Sequence, residues 1–127
     1  MMHSIFAISA FTDNYIWVWV DEVKKQAIVV DPGDATPALA FLHQKESTLN
    51  TILITHKHHD HTGGISALLS AFPSACIFSH PVEQVAQTTQ LVSDNDVFNI
   101  DQHEFRVIAI PGHTLGHIAY YLSLIHI

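Results

Sequence analysis

The sequence is poor in cysteine and in charged residues, basic ones above all, and this excludes several classes of protein. It contains one cysteine, Cys76, among 127 residues, which excludes an intramolecular disulfide framework and a CxxC zinc site. Charged residues make up 13%, about half of the roughly 25% found in soluble domains. Five lysines and arginines stand against twelve acidic residues, so the chain lacks the basic face that nucleic acid or an anionic membrane requires. We expect neither of them as a partner.

Long apolar runs are also missing. The longest, such as 16–20 and 118–122, extend over about five residues, whereas a membrane-spanning helix needs roughly 20. The first residues show neither the basic segment nor the apolar segment of a signal peptide. We therefore expect a cytoplasmic protein whose apolar residues form buried strands.

Short apolar segments alternate with segments of helical spacing. Such an alternation, with polar residues after strand ends, favours an α+β fold in which a sheet packs against helices. The first three strands are predicted to form an antiparallel meander. Strands are predicted at 3–9, 15–20, 26–30, 51–54, 75–79, 97–100, 104–110 and 118–121. Helices are predicted from a cap at Asp34 or Thr36 to Gln44, from 62–64 to Pro73, and at 82–87.

Histidine is the abundant residue: there are eleven, and four of them lie within the segment THKHHDHTGG at 55–64. His56 and His58 are two residues apart, which in an extended loop places both imidazoles on one side, where they can bind one metal. Asp60 and His61 follow where the chain turns into a helix, and they can bind a second metal. Two metals about 3.5–4 Å apart share a bridging hydroxide, which is an arrangement used for hydrolysis.

A second segment, PGHTLGH at 111–117, also follows an apolar strand. We predict that His113 brings a third imidazole to the first metal, and that His117 forms hydrogen bonds near the site without coordinating. Asp31, at the end of a predicted strand, either orients a ligand histidine or caps its own turn. Cys76 is predicted to be a buried structural thiol.

These segments resemble one known family. Residues 55–61 match the THxHxDH motif of the metallo-β-lactamase superfamily, and within it the chain resembles glyoxalase II, the bacterial hydroxyacylglutathione hydrolases. The additional matching segments are 11–17, 30–34 and 111–117. The resemblance implies an αββα sandwich with its site at the edge between two sheets. It also implies ligand roles for the motif residues: His56, His58 and His113 for one metal, and Asp60 and His61 for the other.

The resemblance implies an activity as well. Family members hydrolyse S-D-lactoylglutathione, a small-molecule glutathione thioester, to D-lactate and glutathione in methylglyoxal detoxification. Two divalent metal ions are implied, with zinc as the expected metal and iron or manganese as alternatives. Asp60 would be catalytic because it orients the attacking hydroxide, and the full-length form is expected to be a monomer. The alternatives are another member of the superfamily, such as a persulfide dioxygenase, or a non-catalytic metal-binding module.

The family pattern continues beyond what this sequence contains. A metal-bridging aspartate, a further histidine and a helical domain should follow, yet no aspartate occurs after Asp101. We therefore interpret 1–121 as a truncated metallo-hydrolase domain, comprising the first half of the sandwich and the start of the second. The last six residues, LSLIHI at 122–127, are the translation of CTGTCTCTTATACACATC, a sequencing-library adapter, so we interpret them as non-native. We expect this chain to bind metal weakly or at one site and to show little thioesterase activity.

Overall fold

The computed structural model describes residues 3–10, 14–100, 103–110 and 116–123. Within these ranges the chain has the predicted α+β fold, with two sheets and helices packed on one of them. None of the helices in the described ranges is both long enough and apolar enough to cross a membrane.

The larger sheet has six strands in the order β1-β2-β3-β4-β5-β6. The pairs β1–β2 and β2–β3 are antiparallel, which confirms the predicted meander. From β3 to β6 the strands are parallel, so their carboxyl ends lie at the same edge of the sheet. The strands are β1 (His3–Ala10), β2 (Asn14–Asp21), β3 (Gln26–Val30), β4 (Thr48–Leu53), β5 (Cys76–Ser79) and β6 (Gln90–Leu91).

The helices lie in the connections between the parallel strands. They are α1 (Ala35–Gln44), α2 (His59–Thr62) and α3 (Ile65–Ala71). Asp34 is the cap of α1, since its Oδ1 accepts the Thr36 N–H at 3.0 Å. Helices α1 and α3 cover one face of the larger sheet. The buried side chains of that layer include Val18, Val29, Ala38, Leu42, Ile52, Ile65 and Leu68.

The smaller sheet contains β7 (Val97–Ile100), β8 (His103–Ala109) and β9 (Ile118–Ser123), all antiparallel. It packs on the face of the larger sheet that the helices do not cover. Because successive residues of a strand point to opposite faces, the strands of the larger sheet present apolar side chains to both layers. Trp19, Ile28 and Leu53 meet Ile100 and Phe105 in this inter-sheet core. The described residues thus form three layers, helices, sheet and sheet, of the four expected in an αββα sandwich.

A partly buried tyrosine joins the two sheets at the end of β4. The Tyr120 hydroxyl donates towards the Ile54 carbonyl at 2.8 Å and lies 3.2 Å from the Phe78 carbonyl. Burial raises the pKa of Tyr120, so the hydroxyl stays protonated and able to donate. The contact fixes β9 against the strand ends from which the histidine loop emerges.

Two local predictions are wrong. The segment 82–87 is not a helix: a single 3-10 turn, Pro81–Glu83, is followed by Gln84 and Gln87, whose φ angles of 52° and 69° are left-handed and interrupt helical hydrogen bonding. Cys76 is exposed rather than buried. It is the first residue of β5, where the alternation of the strand places Ile77, not Cys76, in the core.

Candidate metal centre

The site begins where two parallel neighbours end. Asp31 follows β3, and Thr55 and His56 follow β4, so the loops after these strands leave the same edge of the sheet. The Asp31 N–H donates to the Leu53 carbonyl at 2.9 Å, which extends the strand pairing by one residue. This pairing places the Asp31 side chain beside the start of the histidine segment.

The Asp31 carboxylate is a shared acceptor for that segment. Its Oδ1 accepts the Thr55 N–H at 2.8 Å, and its Oδ2 accepts the Thr55 hydroxyl at 2.6 Å. The same Oδ2 lies 3.0 Å from Nδ1 of His61. Asp31 is buried and has a φ of 53°, a left-handed conformation that aspartate adopts more readily than most residues. One carboxylate therefore contacts residues 24 and 30 positions further along the chain.

These bonds determine which nitrogen of each histidine carries the proton. The Thr55 hydroxyl has one proton and donates it to Asp31, so it accepts from Nδ1 of His56, which lies 3.0 Å away. The carboxylate accepts from Nδ1 of His61. In both imidazoles the unprotonated nitrogen, which carries the electron pair that a metal binds, is consequently Nε2. A carboxylate that fixes the tautomer in this way is the usual partner of a metal-binding histidine.

Three imidazoles surround that of His56, which is 3% exposed. The ring centroid of His56 lies 4.0 Å from that of His61, 4.4 Å from that of His117 and 4.9 Å from that of His58. Potential ligand atoms of Asp31, His56 and His61 all lie within 4.8 Å of one another. Residues that are separate in the sequence are thus close enough to share a metal ion.

Burial keeps the central imidazole neutral. Burial is the main cause that lowers the pKa of His56 from 6.5 to about 4, and the neighbouring His61 adds to the effect against the opposing charge of Asp31. At neutral pH the ring is therefore uncharged. That is the form of histidine that binds a metal ion.

The donor set fits a divalent transition metal. Imidazole nitrogens with a nearby carboxylate suit zinc, iron or manganese better than the oxygen-only sites typical of calcium. Among the predicted ligands, the structure brings His56, His58 and His61 together, and it places His117 against them. Asp60 lies in α2, but its side chain is outside the described part of the chain, and His113 lies outside the described residues altogether.

Sequence reasoning missed two residues of this region. Thr55 was assigned no role, although its hydroxyl connects Asp31 to His56. Glu83 is 3% exposed, and it accepts the N–H groups of Lys57 at 2.8 Å and Gly116 at 2.9 Å. Its partners lie 26 and 33 residues away, so local spacing contained no signal for it.

Comparison with known proteins identifies the family. The sequence profile described as the metallo-beta-lactamase superfamily matches residues 11–124. The chain belongs to this superfamily. The histidine loop after β4 lies within the matched residues.

Curated relatives confirm the resemblance to glyoxalase II. The hydroxyacylglutathione hydrolase of Photobacterium profundum is 44% identical over 119 residues, which cover 94% of this chain and 47% of the relative. The hydroxyacylglutathione hydrolase of Klebsiella pneumoniae is 43% identical over 118 residues, with 93% and 47% covered. The chain therefore spans about half the length of the curated relatives it matches.

Solved structures confirm the fold. The BLEG-1 B3 metallo-beta-lactamase is 25% identical with a TM-score of 0.80, covering 94% of this chain and 66% of that one. ETHE1 from Myxococcus xanthus is 27% identical with a TM-score of 0.79, covering 96% and 54%. These similarities support the predicted fold class, the N-terminal part of a metallo-β-lactamase-like sandwich.

Proposed function

We propose that this chain carries the metal-binding part of a hydroxyacylglutathione hydrolase, which cleaves S-D-lactoylglutathione to D-lactate and glutathione. The observation that carries the proposal is the pair of hydrogen-bonded links from Asp31, one direct to His61 and one through Thr55 to His56. Both links place the proton on Nδ1, so the electron pair that a metal ion would bind is on Nε2. Relatives of that name, 43–44% identical over more than nine-tenths of the chain, support the choice of substrate.

The proposed ligands are divided between two divalent metal ions. His56, His58 and His113 would bind one, and Asp60 and His61 would bind the other. Zinc is the expected metal, with iron or manganese as alternatives. When bound, such ions lower the pKa of water and polarise a thioester carbonyl.

The protein's own residues would prepare this site in four ways. Asp31 holds the proton on Nδ1 of His61, and the Thr55 hydroxyl does the same for His56. Burial lowers the pKa of His56 and so keeps its ring neutral at neutral pH. Asp60 is the proposed catalytic residue, which would orient the attacking water. His117 contacts the ring of His56 and would support it without coordinating.

We further propose that residues 1–121 form the metallo-hydrolase domain and that 122–127 are not native. The codons of the last six residues test this: a reading different from the adapter string would contradict it. The proposed enzyme acts on a small molecule in the cytoplasm and is monomeric in its full-length form.

Metal binding is the first test, and the chain offers a matched control. His56→Ala removes a proposed ligand, whereas His43→Ala removes an exposed histidine of α1. We expect purified protein to retain zinc weakly, at no more than one site per chain, and His56→Ala but not His43→Ala to abolish retention. Equal metal content in all three proteins would contradict the proposed site.

Activity is the second test. Slow hydrolysis of S-D-lactoylglutathione is expected, and it should be lost in His56→Ala and kept in His43→Ala. Oxidation of glutathione persulfide by the iron-loaded protein, without thioester hydrolysis, would instead favour a persulfide dioxygenase. Metal binding without either reaction would favour a non-catalytic metal-binding module over the hydrolase. Two tightly held metals with rapid turnover would refute the expectation of weak activity.

A further inference from the structure

A buried glutamate connects the two loops that bring histidines to the site. Glu83 closes the 3-10 turn after β5, and its side chain reaches between these loops. Its Oε1 accepts the N–H of Lys57, the residue between His56 and His58, at 2.8 Å. Its Oε2 accepts the N–H of Gly116, the residue before His117, at 2.9 Å.

The contact with Gly116 leaves no room for a side chain unless Glu83 or His80 shifts. A Cβ atom at this position would lie 2.9 Å from Oε2 of Glu83 and 2.9 Å from Nδ1 of His80. Because Gly116 has no side chain, its backbone can approach the carboxylate to hydrogen-bonding distance. Gly116 therefore packs directly against Glu83.

Burying a carboxylate costs free energy unless strong donors satisfy it. Backbone N–H groups that donate to an ionised carboxylate form short bonds, stronger than bonds between neutral groups. A rigid carboxylate with one loop on each oxygen also limits how far the two loops can separate. Glu83 thereby holds the segment 56–58 beside Gly116 and His117, and the ring centroids of His56 and His117 lie 4.4 Å apart.

We propose that Glu83 is a positioning residue that sets the spacing of the two histidine loops and so tunes the affinity and geometry of the metal site. The proposal rests on the metal site of the proposed function. In this role Glu83 acts through the backbone N–H groups of Lys57 and Gly116.

Glu83→Gln tests this with little change of shape. The amide keeps one oxygen acceptor and replaces the other with an NH2 group, which cannot accept an N–H, so one of the two loops loses its bond. Glu104→Gln is the control, because it makes the same chemical change at an exposed position of β8. Three quantities are measured: the affinity for Co²⁺ in competition with a chromophoric chelator, the d–d absorption of the Co²⁺ complex, and the exchange rates of the Lys57 and Gly116 amides.

In Glu83→Gln we expect the affinity for Co²⁺ to fall by about tenfold or more. The d–d spectrum should also change, since it reports the number and geometry of ligands, and one of the two amides should exchange faster. Glu104→Gln should match the wild type in all three. Glu83→Asp, which keeps the charge on a shorter side chain, should give an intermediate affinity, and it provides the test if the amide variant does not fold.

Separate results decide the two proposals. If wild type binds Co²⁺ and Glu83→Gln binds it within about twofold with an unchanged spectrum, the positioning role is wrong while the metal site stands. If the wild type binds no Co²⁺, the metal site is wrong, and the role of Glu83 falls with it.

Discussion

Replacement of Asp31 should destabilise the chain in a graded way that depends on what the new side chain can accept. The wild-type carboxylate accepts hydrogen bonds at 2.6, 2.8 and 3.0 Å while the backbone holds a φ of 53°. Asparagine has nearly the same shape and tolerates that φ, so Asp31→Asn changes mainly the charge and one acceptor. Alanine removes all three acceptors and is strained at positive φ.

The magnitudes follow from these bonds. A hydrogen bond to a charged group contributes about 1.5–3 kcal/mol. In Asp31→Asn the Thr55 N–H keeps an acceptor and the Thr55 hydroxyl can turn to accept from the new amide, so the net loss is about one such bond, or about 1.5–3 kcal/mol. In Asp31→Ala the buried donors lose their acceptor and the left-handed backbone costs a further 1–2 kcal/mol or so, for a total of about 4 kcal/mol or more.

Urea denaturation of the metal-free protein at neutral pH measures these differences, with tryptophan fluorescence as the signal. The free energy of unfolding should be highest for the wild type, lower for Asp31→Asn and lowest for Asp31→Ala. If both variants unfold within about 0.5 kcal/mol of wild type, the carboxylate does not hold the histidine segment and the reasoning fails. If Asp31→Ala were more stable than Asp31→Asn, the argument about backbone strain in particular would be refuted.

Three further outcomes are expected. The pKa of His56 is about 4 in the folded protein and 6.5 when the side chain is exposed, so in metal-free protein the unfolded chain binds a proton at higher pH than the folded chain does. The free energy of unfolding should therefore be steady above about pH 7 and fall as the pH drops from 6.5 towards 4. Urea midpoints measured across that pH range would check this. Tyr120→Phe removes the hydroxyl that donates to the end of β4 and should cost about 1–2 kcal/mol, whereas an unchanged urea midpoint would show that the link is not stabilising. Gly64→Ala should cost about 1–3 kcal/mol, because its Cβ would lie 2.6 Å from the Pro32 carbonyl oxygen. The same change at the exposed neighbour Gly63 should cost less, and equal thermal midpoints for the two variants would contradict the steric argument.

Local patterns predicted most of the secondary structure because local interactions decide it. Alternating apolar residues marked the strand 104–110, whose Phe105 and Val107 are buried. The sequence predicted Asp34 or Thr36 as the N-terminal cap of α1, and in the structure Oδ1 of Asp34 is the acceptor. The segment 82–87 was misinterpreted because Glu83 is held there by bonds to distant loops rather than by helical neighbours.

Residues 55–61 are adjacent in the sequence and contain the imidazole and carboxylate groups of the candidate site. The sequence by itself therefore determines that these groups are available for a metal. Only the tertiary structure decides which groups meet. The partners of Asp31 and Glu83 lie 24 to 33 residues away, so these contacts exist only after parallel strands align their ends and the second sheet packs on the first. A hydrogen bond depends on distance and direction in space, and packing sets both.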